Sequence, residues 1–154
     1  MVRLLIQNGA DPNKEDSTLD LPLGVAITQE QKAIAIQLIE AGANINKPTG
    51  WDKTPMLSLA VAKKDEQMVR LLIQNGANAT PDWAGPGPST LLAAAVATEN
   101  ESILRLLLQA GADCQVHTPD RNSLNERLPL MTAIETRNLE VARLLLEFGA
   151  DIEM

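Results

Sequence analysis

The ten residues "MVRLLIQNGA" occur twice in this chain, letter for letter, at positions 1–10 and 68–77. Their ending belongs to a wider pattern. Gly-Ala closes five similar phrases, "LLIQNGADPN", "QLIEAGANIN", "LLIQNGANAT", "LLLQAGADCQ" and "LLLEFGADIE". The glycines are Gly9, Gly42, Gly76, Gly111 and Gly149, spaced 33, 34, 35 and 38 residues apart. A period of this length marks one structural unit used repeatedly, with loop insertions lengthening the later copies.

Inside each unit the apolar spacing is helical. Met68, Val69, Leu71, Leu72 and Ile73 form a broad stripe, with Arg70 and Gln74 on the other side. Ile103, Leu104, Leu106, Leu107 and Leu108 repeat it before Gly111. This is a buried helix face and not the alternation of a strand. The glycine then ends the helix, because it enters the left-handed region without strain. Upstream lies a second, shorter apolar segment: 21–27, 56–62, 91–97 and 128–134. Ala26, Ala60, Ala95 and Ala133 recur there at one position and allow close helix approach. Loops rich in Asp, Asn, Pro and Gly join one helical hairpin to the next.

These phrases resemble the ankyrin-repeat family, whose unit runs Thr-Pro-Leu-His-x-Ala and then Leu-Leu-Leu-x-x-Gly-Ala-Asp/Asn-x-Asn. The second half matches in all five units. Of the first half, Leu21-Pro22-Leu23 and Leu128-Pro129-Leu130 keep Pro-Leu, and Thr54-Pro55 sits one residue early. The family's His position holds Gly24, Ser58, Ala93 and Met131, so its imidazole hydrogen bonds must be replaced or absent. The resemblance implies an all-α solenoid of stacked helix-turn-helix units, with loop or β-hairpin fingers projecting from one edge. It divides a single domain, 1–154, into a half repeat at 1–13 and repeats at about 14–46, 47–80, 81–115 and 116–154. Such units bury their apolar faces only against neighbours. "MVRLLI" at the start therefore presents Val2, Leu4, Leu5 and Ile6 without a preceding helix, and both ends read as cuts through a longer array. The alternative is self-association through this uncovered half repeat.

Composition narrows the function classes. A net charge of −7 argues against direct nucleic-acid binding and against an anionic membrane surface, and favours a partner with a basic surface. Cys114 is the single cysteine, which excludes an internal disulfide and points to a reducing, cytoplasmic compartment. No run of about 18 apolar residues and no secretory leader is recognisable. Catalysis finds little to work with. His117 is the single histidine, in a polar loop beside Thr118 and Asp120; a nucleophile pair with Cys114 can be imagined, but no oxyanion-hole loop or orienting third group is suggested. No metal-ligand cluster and no phosphate loop exists, so the chain reads as a non-enzyme without a cofactor.

The loops carry more information. Trp51, Asp52 and Lys53 lie in "NKPTGWDKTP", and Trp83 lies in "TPDWAGPGPST". Both tryptophans fall outside the helical stripes. Either each folds down to anchor its own loop, or each offers a rigid apolar contact to a partner, as tryptophan does at interface hot spots. The longest insertion, 115–130, carries Arg121 and Arg127 and reads as an added recognition loop or a solvated one. By the family's geometry the concave positions after the short helices are Thr28, Gln29, Lys63, Thr98 and Glu135. The resemblance thus implies a protein–protein interaction module binding through fingers and concave helix face. The alternative is a regulatory or targeting segment of a larger enzyme or multidomain protein, such as a bacterial or viral effector acting in a host.

Overall fold

A computed structural model describes residues 2–80, 91–114 and 129–150. Among them are nine α-helices and one isolated antiparallel bridge, Thr49–Thr54. The chain divides into two compact units, Met1–Asn78 and Ala79–Met154. The first holds α1 (Val2–Gln7), α2 (Pro22–Thr28), α3 (Lys32–Glu40), α4 (Met56–Ala62) and α5 (Glu66–Gln74). The second holds α6 (Leu91–Ala97), α7 (Glu101–Gln109), α8 (Pro129–Glu135) and α9 (Leu139–Glu147).

Within the first unit the short helices α2 and α4 pack side by side, and each packs on the longer helix that follows it, α3 and α5. The helices α1 and α3 also meet. The second unit repeats the plan: α6 on α7, α8 on α9, with α6 against α8 and α7 against α9. The four alanines of the short helices, Ala26, Ala60, Ala95 and Ala133, are all buried. A larger side chain at these positions would push adjacent helices apart. Around them lies an aliphatic core: Leu23, Met56, Val61, Met68, Val69 and Leu72 in the first unit, Leu92, Ile103, Leu104, Leu107 and Leu145 in the second.

Gly-Ala recurs because both residues close the same helix end. Gly42 N–H donates to Ile39 O at 3.0 Å, and Ala43 N–H donates to Leu38 O at 2.9 Å. Gly76 and Ala77, Gly111 and Ala112, and Gly149 and Ala150 make the same pair of bonds. All these glycines have φ between 86° and 89°. This double closure satisfies carbonyls that the helix leaves open and requires a left-handed residue at the glycine. The turn between the two helices of each unit uses the same device with no glycine. Glu30, Lys64, Glu99 and Arg137 sit there at φ between 55° and 57°. Each such residue carries a strain of about 1–2 kcal/mol. The charged side chains gave no hint of this in the sequence.

The longer helices start from side-chain caps. Asp65, Asn100 and Asn138 accept hydrogen bonds at 3.1 Å from the N–H groups of Met68, Ile103 and Val141. Gln31 precedes α3 without a side-chain cap. Successive repeats of the first unit are locked by asparagine amides that both donate and accept. Asn13 Nδ2 donates to Gly42 O at 3.0 Å, and Asn13 Oδ1 accepts from Asn44 N–H at 2.6 Å. Asn46 does the same with Gly76 O at 2.9 Å and Asn78 N–H at 2.8 Å.

The duplicated decapeptide gives an internal test of what burial contributes. Leu72 is 0% exposed, whereas its counterpart Leu5 is 53% exposed. Truncating a buried leucine costs about 2–5 kcal/mol, and truncating an exposed one much less. Leu72→Ala is therefore expected to lower unfolding free energy in urea by about 3 kcal/mol, and Leu5→Ala by under about 1 kcal/mol. Equal losses would show that the two identical helices are buried alike.

Candidate functional site

The finger of the second full repeat is a short hairpin. Thr49 and Thr54 exchange both backbone hydrogen bonds, each 2.9 Å long, and Lys53 N–H closes the turn onto Gly50 O at 3.1 Å. The four residues between them are Gly50, Trp51, Asp52 and Lys53. Gly50 at φ 75° and Lys53 at φ 52° take the left-handed conformations that this tight reversal needs.

The finger is fastened at its base. Gly50 N–H donates to Leu19 O at 2.9 Å. The buried Thr49 hydroxyl accepts the Leu21 N–H at 2.8 Å and lies 3.4 Å from Asp20 Oδ1. Gly24, on α2, explains how Thr49 fits. A Cβ on Gly24 would stand 2.8 Å from both Thr49 Cγ2 and Thr49 Oγ1, so only glycine leaves room for this side chain. Position 24 is where the family carries histidine. Here the threonine of the following finger ties down the turn ahead of α2. In the next repeat that position is Ser58, whose buried Oγ has no hydrogen-bond partner among the described residues.

Ahead of α2 a second set of bonds orders residues 16–20. Asp16 Oδ1 accepts from Thr18 N–H at 2.8 Å, Thr18 Oγ1 at 2.7 Å and Asp20 N–H at 2.9 Å. The Thr18 hydroxyl, then the Asp20 and Thr18 amides, hold the Asp16 carboxyl below the usual carboxylate range. Thr18 Oγ1 also lies 2.9 Å from Asp20 Oδ2. Its one proton serves one carboxylate at a time.

A cavity of about 340 Å³ opens between this finger and the helices, lined by Asp20, Thr28, Gln29, Gly50, Asp52 and Leu59 among others. The candidates Thr28, Gln29 and Asp52 thus converge on one place. Trp51 stands between two lining residues at the finger tip and is 73% exposed, so it does not fold down to cover its loop. Lys53 is exposed beside it, and Lys63, at the end of α4, faces Glu30 at 3.7 Å. Thr98 and Glu135 belong to the second unit. The Thr98 hydroxyl turns back to Ala95 O at 2.7 Å, and Glu135 is exposed at the end of α8. Trp83, Arg121, Arg127 and His117 lie outside the described residues. The sequence reading missed Asp20, Thr49 and Gly50. Their part depends on a finger meeting the loop of the preceding repeat, 28 residues away in the case of Leu21 and Thr49.

The chemistry of Cys114 runs against a nucleophile. It is buried, and desolvation followed by the charge of Asp113 pushes its thiol up from the ordinary value. A reactive cysteine needs the opposite shift. Among the described residues no group of three or more His, Cys, Asp or Glu side chains is placed to hold a metal ion. No described helix is long and apolar enough to cross a membrane.

A family profile for ankyrin repeats in three copies matches residues 1–82, 23–118 and 57–154, which together span the chain. The chain belongs to the ankyrin-repeat family. The all-α repeat architecture expected from the Gly-Ala phrases is therefore established, and with it the general character of a protein-interaction module. A stretch of 71 residues is 37% identical to the potassium channel SKOR of Arabidopsis thaliana. That match takes in 46% of this chain and 8% of the channel.

The Thr49 and Ser58 environments make opposite predictions. Thr49→Val keeps the shape against Gly24 and orphans the Leu21 N–H, and is expected to cost about 1–3 kcal/mol of stability. Ser58→Ala removes an unpaired buried hydroxyl and is expected to hold or raise stability by up to about 1 kcal/mol. Urea unfolding of both variants checks this; a neutral Thr49→Val would deny the threonine its role as the substitute tie.

Proposed function

We propose that this chain binds a partner protein through the 49–54 finger and the adjoining ends of α2 and α4. The observation that carries the reading is Trp51: a large apolar side chain held in water at the tip of a hairpin whose base is hydrogen-bonded in place. A side chain presented this way loses little freedom on binding, so most of its burial counts towards affinity. Thr28, Gln29, Asp52, Lys53 and Lys63 are the neighbouring contacts. Thr98, Glu135, Trp83, Arg121 and Arg127 are the candidate contacts of the later repeats. The net charge of −7 favours a partner with a basic surface, chiefly by raising the association rate. The reading needs no cofactor, metal, nucleic acid or membrane, assigns no catalysis, and places the protein in the cytoplasm. Capture from a cell lysate, followed by affinity measurement on the purified partner, tests it. Trp51→Ala, shown to be folded, is expected to weaken binding by more than about tenfold. Unchanged affinity would refute the finger as the contact.

A second reading rests on α1. Leu4 and Leu5 are exposed, and Val2, Leu5 and Ile6 line an apolar groove of about 350 Å³ with Ile34 and Leu38. We propose that this face takes another apolar helix, from a second copy of the chain or from a further segment of a larger multidomain protein. The potassium channel, of which the matched stretch is 8%, supports the latter. Sedimentation equilibrium is expected to show a dimer that Leu4→Glu with Leu5→Glu dissociates. A monomer at all concentrations would remove the second copy as the occupant.

A further inference from the structure

Asparagine followed by glycine occurs twice in this chain, at Asn8-Gly9 and Asn75-Gly76, once in each copy of the duplicated decapeptide. Glycine has no Cβ to keep its amide nitrogen away from the preceding side chain. In both copies the helix end holds the two groups apart. Asn8 Nδ2 donates to Leu4 O at 2.7 Å, and Gly9 N–H donates to Ile6 O at 3.0 Å. Asn75 Nδ2 donates to Leu71 O at 2.8 Å, and Gly76 N–H donates to Ile73 O at 3.0 Å. Side-chain amide and glycine amide are both turned back onto the helix, and they meet only when its last turn opens.

What opening costs separates the two copies. Behind Asn75 the turn rests on Val69 and Leu72, each 0% exposed, on a helix packed against α4. Ala77, which closes that turn, is half-buried. Opening it admits water to a sealed core. Behind Asn8 the same two positions are Val2, half-buried, and Leu5, 53% exposed, and the closing Ala10 is exposed. No residue of α1 is fully buried. Segments with few buried contacts open at the lowest free energies, so the bonds around Asn8 break far more often than their copies.

We infer that Asn8 is a site of spontaneous deamidation and that burial protects its copy, Asn75. When the end of α1 opens, the Gly9 amide nitrogen gives its proton to solvent and attacks Asn8 Cγ. A new C–N bond forms, the Cγ–Nδ2 bond breaks, and ammonia leaves with a proton taken from solvent. The product is a cyclic imide. Water then opens the ring at either carbonyl, giving aspartate or isoaspartate, and no oxidant or reductant takes part. Neither product can donate to Leu4 O, and both put a carboxylate at the negative end of the helix dipole. Isoaspartate also lengthens the backbone, so Ala10 no longer meets Leu5 O in register. The change runs one way and loosens the helix whose Val2, Leu5 and Ile6 line the apolar groove.

The test holds the full chain in mildly alkaline 18O-labelled water and follows the conversion by mass spectrometry. Trypsin separates the copies: cleavage after Arg3 and Lys14 releases 4–14, and cleavage after Arg70 and Arg105 releases 71–105. Fragmentation of each peptide locates the mass gain. In the folded chain Asn8 is expected to convert at least about tenfold faster than Asn75, with uptake of the label from water. In urea, where neither helix exists, the two rates are expected to agree within about twofold. Asn8→Gln is expected to abolish the gain in 4–14 and to leave the Asn75 rate unchanged. Equal rates in the folded chain would overturn the assignment, as would a gain in 4–14 that survives Asn8→Gln. A lead of Asn8 that persists undiminished in urea would trace the difference to flanking residues and remove burial as its cause.

Discussion

The rest of the structure depends on how a nine-residue helix ends. At Leu38, Leu72, Leu107 and Leu145 the carbonyl is closed by an alanine amide five residues on, and that closure needs a left-handed glycine in between. The alanine is then carried beneath the helix end, where Ala43, Ala112 and Ala150 are buried. The chain leaves each helix in one fixed direction, so the loop that follows always returns to start the next short helix at the same place. Equivalent residues thereby stack in rows, as Ala26, Ala60, Ala95 and Ala133 do in their units. A free helix end would leave the rows without register.

That register is what allows neighbouring loops to address one another. An asparagine three residues beyond the closing alanine can bridge to the next repeat because the next helix end is always at the same distance, as Asn13 and Asn46 show. A threonine in one finger can tie down the turn of the preceding repeat for the same reason, as Thr49 does at Leu21. The candidate site grows from these long-range ties. Trp51 stands exposed at the tip of a hairpin fixed at its base, and Asp20 and Asp52 line one cavity beside Gly50, which is bonded back to Leu19. Surface ion pairs such as Arg70–Glu66 and Arg105–Glu101 add little, since both partners are well hydrated.

The helices were legible in the sequence because a stripe of Leu, Ile and Val at helical spacing fits a buried helix face and does not fit a strand, and because a glycine after it is a stop signal with a mechanism. The short-helix alanines were legible for the same reason. The left-handed Glu30, Lys64, Glu99 and Arg137 were not, because nothing in a charged side chain announces that its backbone is strained. The replacement for the family histidine was not legible either. It lies in another repeat, and a threonine in a loop reads as ordinary turn chemistry until Gly24 is seen to make room for it. Thr28 and Gln29 were expected from family geometry and Asp52 from its place beside Trp51; that Asp20 and Gly50 line the same cavity became visible only when the finger met the loop before α2.

The decapeptide at 1–10 and 68–77 marks the boundary between what local sequence determines and what it leaves open. In both places it forms a helix, and in both it ends with glycine at positive φ, 88° and 86°, and with alanine closing onto the leucine five residues back. Those outcomes depend on bonds within the ten residues, so sequence by itself determined them. Burial differs: Leu72 is sealed and Leu5 is half in water. The stripe only states which side of a helix is apolar. Whether another helix covers that side is a property of the neighbours, α4 in one case, and only the tertiary structure decides it.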